Sequence, residues 1–164
     1  MNISLILLGV VTVSLVVGPM MMLRPNPAQQ GRERLRSLAL ARGVHISQRN
    51  LPQQPDQMEK PEPVSVYFCA PSKTQYGKHW LLLRTHYQHD LHLLGWWSWQ
   101  TQDQASGAQL ALLQQYLPLL PDSIKAVGGG AQGAAVYWTE VGGEAVLAQV
   151  IQLLEQLNLA ESAS

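Results

Sequence analysis

Residues 3–23 form an apolar run without a single charged side chain. A helix of about 20 residues spans about 30 Å, the thickness of the hydrocarbon core of a bilayer. A cleaved signal peptide would need a basic N-terminal stretch, and no Lys or Arg precedes this run. A core helix of a globular domain would show a polar face, which the run lacks. The run therefore predicts a retained transmembrane anchor over residues 1–25.

Positive charge follows this run and does not precede it. Between residues 24 and 42 the chain has five arginines and one acidic residue, Glu33. Because positive flanks stay on the cytoplasmic side, we expect an external N-terminus and a cytoplasmic C-terminal part, at a bacterial inner membrane. The arginines are candidate contacts for the anionic bilayer surface, each contributing about 1 kcal/mol, or they serve only as a topology signal. They are Arg24, Arg32, Arg34, Arg36 and Arg42.

The region after the anchor divides into two parts. Residues 26–42 predict a basic juxtamembrane helix, because Asn26 and Pro27 suit the N-cap and the first helical position. Gly43 suits the residue that ends such a helix. Residues 43–164 are predicted to form one cytoplasmic domain.

Composition excludes several classes of protein. The chain has 11 Lys and Arg against 11 Asp and Glu. This balance argues against a generally basic nucleic-acid-binding protein, so we expect no nucleic-acid partner. One cysteine, Cys69, excludes an internal disulfide framework and a multi-cysteine metal site. No motif calls for a cofactor, and we predict none.

The remaining pattern predicts an α+β fold, in which a small antiparallel sheet carries helices on one face. β-Branched and aromatic content predicts strands, and apolar residues at helical spacing predict helices. Segments 79–87 and 91–101 are expected to form the two arms of one hairpin. The predicted strands are 44–47, 64–69, 79–87, 91–101, 123–127 and 134–141, and the predicted helices are 107–117 and 143–159.

Four potential metal ligands lie close together in the sequence. Imidazole and carboxylate groups suit zinc, copper or nickel, and a hairpin could bring two or three of them together. Their spacing matches no established metal motif, and a polar turn with surface histidines explains the same residues. The four are His86, His89, Asp90 and His92.

Tryptophan is unusually frequent, with five residues against one Phe. Side chains alternate between the faces of a strand, so Trp97 and Trp99 are expected on one face and Trp96 on the other. An exposed tryptophan near a membrane suits a lipid interface or a partner protein. We assign Trp96, Trp97 and Trp99 as candidate partner-binding residues, the alternative being that tryptophan fills the core of a small sheet.

A glycine-rich segment resembles a nucleotide-binding signature only in the spacing of its glycines. Gly128, Gly130 and Gly133 satisfy the pattern G-x-G-x-x-G. That signature requires a helix to begin at the glycines, and residues 134–139 read instead as a strand. We therefore interpret the segment as a hairpin loop.

Residues 18–30, with the sequence GPMMMLRPNPAQQ, resemble the bacterial YajC-type accessory subunit of the Sec translocase. That family has one N-terminal transmembrane helix ending in a Met/Leu-Arg-Pro-Gln-Gln-like run, followed by a basic helix and a small cytoplasmic β-rich domain. Here Pro27 and Ala28 interrupt the run. The resemblance implies an accessory role at a membrane complex, and the complex it leads us to expect is a preprotein translocase.

These patterns lead to two functional hypotheses. The first is a non-enzymatic, single-pass membrane protein that presents a cytoplasmic α+β domain to a membrane-protein complex. Its partners would be the lipid bilayer and that complex. The second is a metal-binding sensor or enzyme that uses the histidine cluster.

Overall fold

The computed structural model describes Ile3 and residues 26–53, 63–70, 78–85 and 92–162. Within these ranges the chain forms three α-helices and seven β-strands. The helices are α1 (Pro27–Ala41), α2 (Gly107–Tyr116) and α3 (Gly143–Ser162), and a 3-10 turn (Leu117–Leu119) follows α2. The strands are β1 (His45–Asn50), β2 (Pro63–Phe68), β3 (Trp80–Arg84), β4 (His92–Leu94), β5 (Trp97–Trp99), β6 (Ile124–Gly129) and β7 (Ala135–Trp138).

The seven strands form one antiparallel sheet in the order β1-β2-β7-β6-β3-β5-β4. The α+β class and the antiparallel sheet are therefore confirmed. The predicted helices 107–117 and 143–159 correspond to α2 and α3. Ser106 caps α2, since its hydroxyl accepts from the backbone N–H of Gln109, whose side chain accepts in return from the Ser106 N–H.

The predicted antiparallel pairing of segments 79–87 and 91–101 is present, because β3 pairs with β5, but the two arms do not form one simple hairpin. The second segment is itself a hairpin, in which Leu94 pairs with Trp97 across a two-residue turn. Gly95, in that turn, has a φ of 55°, a left-handed value that glycine adopts without strain and that short hairpin turns require. As a result β5 lies between β3 and β4, and β4 occupies the edge of the sheet.

The core lies between the helices and one face of the sheet. Leu147, Val150, Ile151, Leu154 and Leu157 of α3 are all buried, which confirms the predicted apolar stripe of this helix. Buried residues of all three helices join the same cluster as alternate residues of the strands. Its sheet members include Tyr67, Trp80, Leu82, Trp97, Trp99, Ile124, Val127, Val136 and Trp138.

Two glycines of the glycine-rich segment are explained by packing. Gly128 and Gly129 belong to β6, and β7 follows the loop, so the segment is a hairpin as interpreted. The indole of Trp80 lies directly over Gly129, where an added Cβ would approach its Nε1 to 2.6 Å. The space beside Gly129 is therefore occupied by a core tryptophan.

Replacing Gly129 with alanine is expected to lower the free energy of unfolding by about 1–3 kcal/mol, because Trp80 must shift within a packed core. The control is Gly107→Ala in α2, where no atom lies within 4 Å of an added Cβ. This control should leave stability unchanged or slightly raised, since alanine favours helix. Urea unfolding of the full chain in mild detergent, followed by tryptophan fluorescence, measures both. Equal stabilities would contradict the packing explanation.

The chain divides into two compact units, residues 1–33 and 34–164. The division falls inside α1, whereas the sequence predicted a separate helix before a domain beginning at residue 43. Burial explains the difference, because Leu35 and Ala39 are 6% and 0% exposed and join the main cluster. The second half of α1 therefore belongs to the α+β domain.

The predicted anchor, residues 1–25, lies outside the described residues except for Ile3. Among the helices that the structure does describe, none has the length and apolar character needed to cross a bilayer.

Candidate functional site

The arginines predicted to face the membrane have different environments. Arg24 lies outside the described residues, and Arg32 and Arg42 are exposed. Arg34 is exposed and pairs with Glu144 at 2.9 Å. Arg36 is different, because its guanidinium is bonded to a buried carboxylate inside the domain. Arg36 therefore holds α1 in place and has little of its charge left for a lipid surface.

Arg36 and Glu140 form a bidentate ion pair. Nε of Arg36 donates to Oε1 of Glu140 at 2.7 Å, and Nη2 donates to Oε2 at 2.9 Å. The hydroxyl of Tyr67 donates to the same Oε1 at 2.9 Å, and Nη2 of Arg36 also donates to Oγ of Ser65 at 3.2 Å. The network thus connects α1, strand β2 and the β7–α3 connection.

Burial makes this network electrostatically strong. The side chain of Glu140 is 3% exposed and that of Arg36 is 35% exposed. Burial raises the pKa of the Tyr67 hydroxyl well above its usual range, and the nearby Glu140 carboxylate raises it further. Hydrogen bonds to Glu140 raise the pKa of Arg36. Tyr67 therefore stays neutral and donates its proton, as the carboxylate requires.

Glu140 also has an unusual backbone conformation. Its φ is 62°, the only left-handed value among the described residues other than glycine. This conformation costs an L-amino acid about 1–2 kcal/mol, so the surrounding contacts must hold it. The carboxylate that receives three hydrogen bonds is thus fixed by a strained connection.

Trp97 and Trp99 share the core face of β5, as alternation predicts, whereas Trp96 is exposed because it lies in a turn. Trp97 and Trp99 are 3% and 4% exposed, and Trp99 packs edge-on against Trp80 with ring centroids 6.0 Å apart. Trp96 lies in the β4–β5 turn and is 53% exposed. Of the three candidate partner-binding residues, only Trp96 therefore offers its side chain to a partner, since the core encloses the other two.

The histidine cluster falls mostly outside the described residues, which do not include His86, His89 and Asp90. His92 is in β4, with its Nε2 against the carbonyl oxygen of Gly95. In the described parts of the chain, no three His, Cys, Asp or Glu side chains are grouped to hold a metal ion. The metal hypothesis stays a prediction.

The strand register shows which residues share each end of the sheet. Helix α1 meets the sheet at one end, where Arg36 bonds to Ser65. We call this the entry end, because the 34–164 unit begins there. Several strand ends meet there. They include the start of β2 (Ser65), the end of β7 (Trp138), the start of β6 (Ile124), the end of β3 (Arg84) and the start of β5 (Trp97).

A cleft of about 340 Å³ opens at the entry end. The guanidinium of Arg84 donates to the carbonyl of Pro121 at 2.8 Å, pairs with Asp122 at 3.1 Å and lies 5.3 Å from the ring centroid of Trp97. These contacts fix one cation beside the exposed indole of Trp96. The cleft is lined by Arg84, Thr85, Trp96, Asp122 and Lys125. The cleft thus offers two cations, one carboxylate and one indole to a ligand.

Sequence reasoning did not identify Glu140 or Tyr67. Glu140 lies 104 residues from Arg36 along the chain, so no local pattern joins them. The sequence contains one hint of the role of Glu140. This residue is acidic and lies near the end of a predicted strand, two residues before Gly142.

Comparisons with known proteins assign no family to this arrangement. No family model matches the chain, and no curated protein and no solved structure is significantly similar to it.

Proposed function

We propose that this chain is a non-enzymatic, single-pass accessory or scaffold protein of a bacterial inner membrane, which presents its α+β domain to a membrane complex on the cytoplasmic side. The observation that carries the proposal is the buried Arg36–Glu140 pair. It makes the second half of α1, the helix that follows the apolar run, an integral part of the domain.

The apolar run and its basic flank support the anchor. Residues 3–23 are long enough to span the hydrocarbon core, and the following arginines favour a cytoplasmic domain. Only residues 24–26 separate the end of the run from Pro27, where α1 begins. A link this short restricts how far the domain can move from the membrane, and so raises its effective concentration at neighbouring complexes.

The site geometry supports a binding role. Its ion pairs stabilise the position of α1, and the exposed groups at the entry end include an indole, aliphatic side chains and ion-paired charges. The resemblance of residues 18–30 to the YajC-type subunit makes a preprotein translocase the expected kind of partner. Trp96 is the residue we expect at the contact, since aromatic side chains often dominate protein interfaces.

Fractionation and topology test the proposal together. The full chain with a C-terminal tag should stay in the membrane pellet after alkaline extraction, and its tag should be protected from protease added to spheroplasts. Crosslinking and purification in mild detergent should recover a membrane-protein partner in stoichiometric amount.

The matched control carries Val11→Arg and Leu15→Arg within the apolar run. Each arginine near the centre of a membrane helix costs about 2.5–3.5 kcal/mol on insertion scales, so this variant should leave the membrane fraction. If the tag of the parent chain is cleaved from outside, the orientation is wrong. If the bait is recovered alone, the accessory role is wrong.

A further inference from the structure

Exposed apolar side chains of the α+β domain are concentrated at one end. Within the described part of residues 34–164, six large apolar side chains are exposed. Four of them lie at or next to the entry end, and two lie at the opposite end of the domain. The four are Leu94, Trp96, Leu119 and Val141, with exposures of 37%, 53%, 70% and 60%, and the two are Leu40 and Leu159, with 57% and 63%.

Backbone contacts fix the positions of Leu94 and Trp96. Leu94 pairs with Trp97 at the start of β5, which is itself paired with the last residue of β3. The carbonyl of Trp96 accepts from the N–H of Thr85 at 2.7 Å, directly after β3. Both side chains therefore project from the β4–β5 turn at the entry end.

Leu119 and Val141 reach the same end from different elements. Leu119 ends the 3-10 turn and precedes Leu120, whose carbonyl accepts from Nη2 of Arg84 at 3.4 Å. Val141 follows Glu140, and its carbonyl accepts from Nε1 of Trp138 at 3.0 Å. Residues far apart in sequence thus place four exposed apolar side chains at the same end of the sheet, and we call these four side chains the apolar surface.

Leu40 and Leu159 lie at the other end. Leu40 is in the last turn of α1, which leads directly into the start of β1. Leu159 follows Asn158, whose side chain bonds to the backbone of Cys69 and Ala134, beyond the end of β2 and before the start of β7. They provide matched exposed leucines on the side away from the entry end.

The chain itself reaches the domain at the entry end. Arg34 pairs with Glu144 in the first turn of α3, and Arg36 bonds to Glu140. Residue 33 precedes this point directly, and the apolar run of residues 3–23 lies upstream. The chain that follows the apolar run therefore enters the 34–164 unit at the end that carries the apolar surface.

Most of the charged groups that the structure describes at the entry end have a partner. Arg34 and Arg84 pair with Glu144 and Asp122, the buried Glu140 pairs with Arg36, and Arg49 bonds to Gln132, while Lys125 lines the cleft. These pairs reduce the attraction of the described residues to anionic lipid. An indole flanked by aliphatic side chains instead favours the boundary between headgroups and acyl chains, where tryptophan is enriched.

We propose that the entry end rests on the bilayer, with Leu94, Trp96, Leu119 and Val141 inserted at the level of the lipid headgroups. This inference rests on the proposed function, since it requires the domain to be anchored. It gives the domain a fixed orientation on the membrane, with α2 and α3 lying between the entry end and the opposite, exposed end. It also means that Trp96 contacts lipid first, so that a protein partner would have to compete for it.

Site-directed spin labelling of the full chain tests this orientation. Single cysteines replace Trp96, Leu119 or Val141 in a Cys69→Ser background, and Leu40→Cys and Leu159→Cys are the controls. The variants are reconstituted in liposomes of phosphatidylethanolamine and phosphatidylglycerol. Labels at the first three positions should collide more with oxygen, and several-fold less with a water-soluble nickel chelate, than labels at the controls.

A second measurement avoids the cysteine background. Lipids brominated on the acyl chain should quench a tryptophan emission component that is missing from the Trp96→Phe variant. Trp80, Trp97, Trp99 and Trp138 are buried and are common to both proteins. Equal quenching of the two proteins would overturn the proposal.

Liposome flotation separates failure of this inference from failure of the anchor. If the chain floats with the liposomes but all labels are equally accessible to nickel, the domain is anchored and the proposed orientation is wrong. If the chain does not float, the anchor is wrong and the inference falls with it. Spin–spin broadening at positions 96 and 119 would show that a second copy, and not lipid, covers the surface.

Discussion

Replacement of Glu140 with alanine is expected to lower the free energy of unfolding by about 3 kcal/mol. Removing one member of a buried ion pair costs about 3–5 kcal/mol, because the remaining charge has no partner. The low end applies here, since the Arg36 side chain is 35% exposed and can recruit water. Alanine also keeps the strained φ of 62° while removing the contacts that hold it.

The exposed ion pair between α1 and α3 is the matched control. Arg34 and Glu144 are also joined at 2.9 Å, but their side chains are 72% and 56% exposed. Glu144→Ala should therefore cost about 0.5 kcal/mol or less. Urea unfolding of the full chain in detergent compares the two variants. Similar losses would mean that burial does not make the Arg36–Glu140 pair important.

A glycine at position 140 separates the two contributions. Glu140→Gly loses the same carboxylate but removes the Cβ that makes the left-handed conformation unfavourable. It should therefore be more stable than Glu140→Ala by about 1 kcal/mol. A less stable glycine variant would show that backbone strain at this position contributes nothing.

Alkaline pH is expected to destabilise the domain through Tyr67. Its folded pKa is raised, whereas in the unfolded chain it has the usual value of about 10. Above about pH 10 the unfolded chain releases the phenolic proton while the folded protein keeps it, so the unfolded state gains stability. Above about pH 10, and until the folded protein also ionises, the free energy of unfolding should fall by up to about 1.4 kcal/mol per pH unit from this group alone.

Tyr67→Phe isolates this effect. At neutral pH the variant should be less stable by about 1 kcal/mol, because its hydrogen bond to Glu140 is lost. At about pH 12 it should be the more stable protein, since phenylalanine has no proton to lose. Urea unfolding at a series of pH values should show the two stabilities crossing. Parallel curves would mean that Tyr67 ionises at the same pH in the folded and unfolded chains.

The parts of the fold that depend on local pattern were predictable. The apolar stripe of α3 and the alternation that buries Trp97 and Trp99 follow from the spacing of side chains. The β4–β5 hairpin was not predicted, because a single continuous strand over 91–101 has the same composition, and only the left-handed Gly95 divides it.

The contacts that define the candidate site were not predictable from one sequence. The Arg36–Glu140 pair joins residues 104 positions apart, and the cleft at the entry end combines residues from β3, the β4–β5 turn and the start of β6. The arginines of residues 26–42 look alike in sequence. Tertiary packing alone distinguishes Arg36, the half-buried partner of Glu140, from its exposed neighbours.

The order of the strands in the sheet has a consequence for copies of this protein that lie close together at one membrane. Its two edges are β1 and β4. The membrane tether that we propose would bring copies side by side, and an open strand edge would then template edge-to-edge polymerisation. β4 has only three residues, and β1, with the sequence HISQRN, has a polar, exposed second half that includes Arg49. Both edges are thus poor templates for strand pairing between molecules, so many copies could share one membrane surface without polymerising through their sheets.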